Sequence, residues 1–243
     1  MSAMELLVVN PNTTASMTEK IATAARRVAA PGTRIEAVNP TMGPVSIEGF
    51  YDEAFCVPGL LEIVRARRVD AVVIACFDDT GLDAARTVAA GPVVGICEAA
   101  MHVATLISGS FSVVTTLARS VPIVEQLARK YGFAQHCRRV RAAEVPVLAL
   151  EEPGSDAFDR LRDEIRRALS EDGCETILLG CAGMTDLARR LTAEFAVPVV
   201  DGVAAAVKLA EGLVGMGLTT SRIGGYARPP SKHYGGEFAR FAP

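Results

Sequence analysis

Short apolar runs alternate along this chain with longer stretches in which apolar residues recur every three or four positions. Glu5 to Val9, Arg34 to Val38 and Ala71-Val72-Val73-Ile74-Ala75 have the length and β-branched content of strands. Ser112 to Thr116, Val140 to Ala142 and Ile177-Leu178-Leu179-Gly180 have them too. Between these runs a helical period marks Ser16 to Val28, Tyr51 to Arg67 and Thr80 to Val88, then Val121 to Tyr131, Ser155 to Ser170 and Thr185 to Glu194. Pro92 to Val94 and Pro198 to Val200 each lead into one further helix. Such regular strand–helix alternation predicts parallel sheets with right-handed crossovers, and so an α/β fold.

The pattern is written twice. Cys76 and Cys181 each end an apolar run and precede turn-forming residues and a helix, and they lie 181 − 76 = 105 positions apart. The same offset lands Val8 on Val113, Val9 on Val114, Asn10 on Thr115, Thr80 on Thr185 and Leu82 on Leu187. Few identities survive, so the correspondence is one of architecture. It predicts two pseudo-symmetric lobes, each a parallel-sheet three-layer α/β sandwich, with the active site between them. No low-complexity linker divides the lobes, and residues 204–243 are expected to return to the first one. The expected division is therefore 1–97 plus 204–243 for the first lobe and 98–203 for the second.

Composition narrows the class. Half of the 243 residues are hydrophobic, aromatics are 5% and tryptophan is absent, so Val, Ala, Leu and Ile must fill the core, as in a buried parallel sheet. A net charge of −3 gives no basic footprint for nucleic acid. The apolar runs are far too short for a membrane span. Met1-Ser2-Ala3-Met4-Glu5 enters a strand without a basic flank or cleavage site, so no secretory signal is expected and the location is expected to be cytoplasmic. The expected partners are a small-molecule substrate and further copies of the chain in a homo-oligomer, with neither nucleic acid nor membrane.

Six cysteines (56, 76, 97, 137, 174 and 181) without a C-x-x-C pair argue against a disulfide framework, a structural zinc site and a thioredoxin-type motif. Cys56, Cys97 and Cys174 fit small buried hydrophobes, and Cys137, in the polar run Gln135 to Arg139, is expected near the surface. Cys76 and Cys181 alone combine a strand-end position with an equivalent partner. Ligands bind at that end of open α/β sheets. Two thiols facing one carbon from opposite sides could move a proton across a stereocentre. A thiol of ordinary acidity needs a favourable site to react at neutral pH, and a following helix N-terminus is expected to supply it. Asp78 and Asp79 would oppose this, so they are expected to be helix-capping carboxylates turned away from the sulfur.

Other polar positions have two readings each. Asn10-Pro11-Asn12-Thr13-Thr14 could hold a polar ligand through amides and hydroxyls, or could simply cap a helix by Asx-turn chemistry. Thr115-Thr116 occupies the corresponding loop and has the same two readings. Ala182-Gly183 leaves backbone N–H groups uncovered, able to stabilise an oxyanion formed next to a carbonyl. His102 could serve as a base but is expected to be a packed helix residue, and His136 and His233 have no catalytic context. Neither a Gly-x-Gly-x-x-Gly nor a P-loop occurs, and nothing calls for a cofactor or metal.

Several stretches taken together resemble the hydantoin racemases of the aspartate/glutamate racemase superfamily. They are Val9 to Thr14, Pro44-Val45-Ser46-Ile47-Glu48-Gly49, Ala75 to Arg86, Gly95 to Ala100, Leu179-Gly180-Cys181-Ala182-Gly183-Met184 and Val199 to Val203. The resemblance implies two pseudo-symmetric α/β lobes, no cofactor, and Cys76 and Cys181 as the acid/base pair. It also implies that Asn12, Thr116 and the amides of Ala182 and Gly183 hold the ring, while Ile47 and Phe77 shape the side-chain pocket. Amino-acid racemases of the superfamily follow their cysteines with Cys-Asn-Thr and Cys-Thr-His. Here Cys76-Phe77-Asp78 and Cys181-Ala182-Gly183 stand instead, which weakens an amino-acid substrate. The presence of Cys76 argues against an arylmalonate-type decarboxylase. The activity expected is racemisation at C5 of a 5-substituted hydantoin, with allantoin, itself such a compound, as an alternative. Cis–trans isomerisation of a small diacid is a second enzymatic reading, and a thiol redox sensor or ligand-binding module is the non-enzymatic one.

Overall fold

Eight strands form two four-stranded parallel sheets in the structure, a computed structural model that describes residues 3–152 and 154–243. The first half runs β1 (Met4–Val9), α1 (Ala15–Val28), β2 (Thr33–Val38), α2 (Phe50–Ala66), β3 (Ala71–Ile74), α3 (Leu82–Val88), β4 (Val93–Gly95) and α4 (Ile96–Ile107). The second runs β5 (Phe111–Thr115), α5 (Val121–Lys130), β6 (Cys137–Ala142), α6 (Ala157–Glu171), β7 (Thr176–Gly180), α7 (Ala188–Phe195), β8 (Val199–Val200) and α8 (Gly202–Gly215). The strand orders, β2-β1-β3-β4 and β6-β5-β7-β8, are the same.

The repeat extends to register. Leu6 pairs with Ala71 across β1 and β3, and Phe111 pairs with Thr176 across β5 and β7. Both separations are 65 (71 − 6 and 176 − 111), and each partner lies 105 positions beyond its counterpart. The expected offset is therefore the offset of the fold.

Side chains two apart on a strand share a face, and this builds the layers. Leu7, Val9, Val72 and Ile74 pack outward with Leu60 and Val64 of α2 and Leu82 and Ala85 of α3. Leu6, Val8, Ala71 and Val73 face the other way, onto Ile21 and Ala25 of α1 and Val203 and Val207 of α8. Val113, Val140 and Leu178 of the second sheet reach this same core, together with Ala100 and Met101 of α4 and Val124 of α5. The other face of the second sheet is covered by Leu161 and Ile165 of α6 and Leu191 of α7. Each sheet lies between helices, and the inner helices form one shared layer.

The last helices of the halves cross over. α4 follows the first sheet yet packs against β7 and β8, whereas α8 follows the second sheet and packs against β1, β3 and β4. Beyond α8 the chain stays on the first sheet's side. The Arg222 guanidinium donates to the carbonyl of Arg86 (2.9 Å), the Tyr226 hydroxyl to Asp83 (3.0 Å), and Arg65 to the carbonyls of Phe241 and Ala242 (3.1 and 3.0 Å).

Two helices depart from the expected start points. α3 begins at Leu82 rather than Thr80, because Asp79 (φ 46°) and Gly81 (φ 71°) adopt left-handed backbone that a right-handed helix cannot include. The pattern from Thr185 to Glu194 is broken as well. A 3-10 turn at Ala182–Met184 precedes α7, which starts only at Ala188.

Candidate active site

In a sheet of order 2-1-3, the helices after the first and third strands lie on opposite faces and leave a crevice between the two strand ends. Asn12 follows β1 and Cys76 follows β3; Thr116 follows β5 and Cys181 follows β7. The two crevices face one another.

The Asn10–Thr14 loop is held from within. Asn12 Oδ1 accepts from Asn10 Nδ2 (2.8 Å) and from the Thr14 N–H (2.9 Å), while Asn12 Nδ2 donates to the Met17 sulfur (3.2 Å). The Asx-turn that shapes the loop also sets Asn12 in the cavity wall. Thr14 Oγ1 donates to the Val45 carbonyl (2.6 Å) and the Thr13 N–H to the Pro44 carbonyl (3.0 Å), tying down the segment that carries Ile47. On the other side, Thr115 Oγ1 donates to the Gly180 carbonyl (3.0 Å). A β-carbon on Gly180 would fall 2.8 Å from Thr115 Cα, so glycine just before Cys181 allows β5 and β7 to close up here.

The two aspartates after Cys76 have separate fates, and neither caps α3. Asp79 reaches across to α4, accepting from the N–H groups of Cys97 (3.0 Å) and Glu98 (2.8 Å) and from the Tyr131 hydroxyl (2.8 Å). A β-carbon on Gly95 would fall 2.3 Å from its Oδ1, so only glycine permits this cap. Burial pushes the Asp79 carboxyl up to about 7 against the pull of those three donors. Asp78 is not turned away from the sulfur as expected. It lines the cavity beside Cys76, and burial, with Glu53 and Asp79 near, raises it to about 8.

Burial also dominates both thiols. Cys76 is held well above its usual range by burial and by the charge of Asp78, although the Asp78 N–H and the Thr80 hydroxyl (3.7 Å) donate to its sulfur. Cys56 of α2, fully buried, is a third sulfur close to this group. Burial raises Cys181 to about 11, with the Gly183 N–H (3.4 Å) and Lys20 pulling the other way. The expected acidification by a helix N-terminus is therefore absent at Cys76, whose following helix starts six residues on. Burial thus opposes ionisation of both thiols.

One narrow cavity, with about 30 Å³ of room, is lined by Asn12, Ile47, Cys76, Phe77, Thr116, Cys181 and Ala182. Gly183 is placed differently from the expectation: its amide is committed to the Cys181 sulfur, and it does not line the cavity. Ala182 opens the 3-10 turn, where a backbone N–H has no acceptor within its own helix. Met17, Asp78, Ser120 and Val147 also line the wall and were not singled out as ligand contacts from sequence. Met17 and Ser120 sit in the first turns after strand-end loops, a position that could have flagged them. His102 is exposed on α4 and packs edge-on to Phe133 (centroids 4.8 Å apart). Among the described residues there is no cluster of three or more His, Cys, Asp or Glu suited to a metal, and no helix long and apolar enough to cross a membrane.

The family model for Asp/Glu/Hydantoin racemase matches residues 6–210. The chain belongs to the Asp/Glu/hydantoin racemase family. A hydantoin racemase of Rhizobium meliloti is 55% identical over 232 residues, covering 94% of this chain and 96% of that one. Among solved structures, an allantoin racemase from Klebsiella pneumoniae superposes with a TM-score of 0.96 at 51% identity, covering 99% of both chains. An allantoin racemase from Pseudomonas fluorescens gives 0.92 at 42% identity, covering 96% of this chain and all of that one. The two-lobed α/β architecture is thus that of family racemases, and this chain is a racemase.

Proposed function

We propose that this racemase interconverts the enantiomers of 5-substituted hydantoins by two-base proton transfer between C5 and the sulfurs of Cys76 and Cys181. The observation that carries the proposal is that both thiols line one cavity from equivalent strand ends. One cysteine, as thiolate, takes the C5 proton, and the thiol of the other delivers its own to the opposite face. For the other enantiomer the roles exchange. Each turnover moves one proton on and one off carbon, leaving the protonation states of the sulfurs swapped. The electron pair left at C5 delocalises onto the C4 carbonyl oxygen, for which the Ala182 amide, at the opening of the 3-10 turn, is a candidate donor. An oxyanion donor of this kind contributes about 3 kcal/mol. Asn12 and Thr116 hold the ring, Ile47 and Phe77 adjoin the C5 substituent, and the Gly183 amide supports the Cys181 thiolate.

Allantoin is a second candidate substrate, favoured by the 51% and 42% identity to the two allantoin racemases. A polarimetric assay with allantoin and benzyl-, isobutyl- and methylthioethyl-hydantoin ranks the two.

Single cysteine variants test the mechanism. Cys76→Ser and Cys181→Ser should each abolish net racemisation, while one exchanges C5–H of the D-form with retention in deuterated buffer and the other that of the L-form. A single variant that racemises at near the parent rate, or exchanges both enantiomers equally, disproves the two-base assignment.

A further inference from the structure

Asp78 is the charged side chain of the cavity with no task yet. It is 8% exposed and lines the space between the lobes. Its neighbour Asp79 collects three donors, but none of the hydrogen bonds found among the described residues ends on the Asp78 carboxyl oxygens. The carboxyl oxygens are not sealed off, since they are not among the buried unpartnered atoms of the described residues; they open on the cavity and are free to take a donor from a ligand. Its position is central as well, since its charge bears on Cys181 across the cavity as well as on adjacent Cys76.

This inference rests on the hydantoin reading above. With C5 between the sulfurs, a group near both of them is near the two ring atoms bonded to C5, namely N1 and C4. The C4 oxygen gathers negative charge during proton transfer and must avoid a carboxylate. N1 carries an N–H, a donor in search of an acceptor. We infer that the Asp78 carboxyl accepts the N1–H of the hydantoin ring, so that the site selects rings with a free N–H beside the reacting carbon. A carboxyl keeps an acceptor oxygen whether neutral or ionised, so the contact does not depend on its protonation state. The bond also fixes which way round the ring lies, with the C4 oxygen turned from Asp78 toward Ala182.

The experiment compares a 5-substituted hydantoin with its N1-methyl and N3-methyl derivatives. Wild-type protein should turn over the N1-methyl compound about 3- to 10-fold less well than the parent in kcat/KM, the range for an ordinary hydrogen bond. The N3-methyl compound should be less affected. Asp78→Leu, similar in shape but without an acceptor, should lose activity on the parent and with it the preference over N1-methyl. Asp78→Asn keeps a carbonyl acceptor and should retain that preference, which covers the case in which the leucine variant does not fold. Iodoacetamide labelling of Cys76 and Cys181, read by mass spectrometry, should be faster in Asp78→Asn than in wild type above about pH 8, where the carboxyl is ionised, and similar below about pH 6, whereas a structural loosening would speed it at both. Equal wild-type turnover of the N1- and N3-methyl compounds overturns the inference, as does a leucine variant that slows parent and N1-methyl alike. Absence of racemisation of any hydantoin by wild type is a different result and overturns the functional proposal itself.

Discussion

Glu48 and Val147 are 99 positions apart and joined across the cavity, the Val147 N–H donating to Glu48 Oε1 at 3.1 Å. Each is bonded to or is itself part of the wall, since Ile47 precedes Glu48 and Val147 lines the site. The Asp52 carboxylate in turn accepts from the Glu48 N–H (3.0 Å), so the segment is anchored to α2. Glu48→Ala is expected to weaken substrate binding by about 1 kcal/mol, roughly fivefold in KM, with a smaller change in kcat. Glu48→Gln keeps an acceptor and should lie between. Steady-state kinetics on the two variants check this, and equal KM values for both and the parent would sever the link to binding.

Stability should fall as pH rises from about 4 to about 8. Asp78 has its carboxyl raised from 3.8 to about 8, so over that interval the folded chain binds a proton that the unfolded chain has released. Stability then declines with rising pH, because the native state holds more protons than the unfolded one. The contribution of Asp78 is fully present below its unfolded value and lost as pH passes its folded one. Urea titrations at several pH values should show this slope, and Asp78→Asn should make it shallower. Some slope should persist, because burial also raises Asp79.

Phe77 (3% exposed) and Ile47 (8% exposed) occupy the wall beside Cys76 and near the Glu48–Val147 tie. Phe77→Ala should shift preference toward bulkier C5 substituents, by about 1–3 kcal/mol for each methylene-scale change. Ile47→Ala should act in the same direction. Relative kcat/KM over the hydantoin panel measures this, and an unchanged ranking in both variants would take the two residues out of the substituent pocket.

The fold was legible because strand signals are local: an apolar run such as Ala71–Ala75 is buried on both faces, and its period and length suffice. Asn12, Cys76, Thr116 and Cys181 come together because each ends a strand at a switch point, and strand ends can be read from the runs before them. Asp79 could not be read this way. Its partners, Cys97 and Glu98, are 18 and 19 positions away, and the cap exists only because Gly95 leaves room. Asp78 departs from the capping expectation because that role presumes a helix starting at Thr80, whereas α3 begins at Leu82 behind Gly81. Cys56 resembled an inert core cysteine, and nothing local showed that α2 would bring it near Cys76. Val147 enters the wall through a hydrogen bond to a residue 99 positions earlier, and no local period encodes that.

The exchange of α4 and α8 between the sheets makes the molecule indivisible. Were the chain cut between Ile107 and Phe111, the leading fragment would keep its sheet and α1 but lose α8, uncovering the part of its inward face, around β3, that α8 covers. It would also carry α4, whose apolar face has its partners on the absent strands. The trailing fragment would have the mirror problem. Such pieces have cause to re-associate rather than to fold apart, and the intact chain should melt as one cooperative unit, its two halves failing at the same temperature.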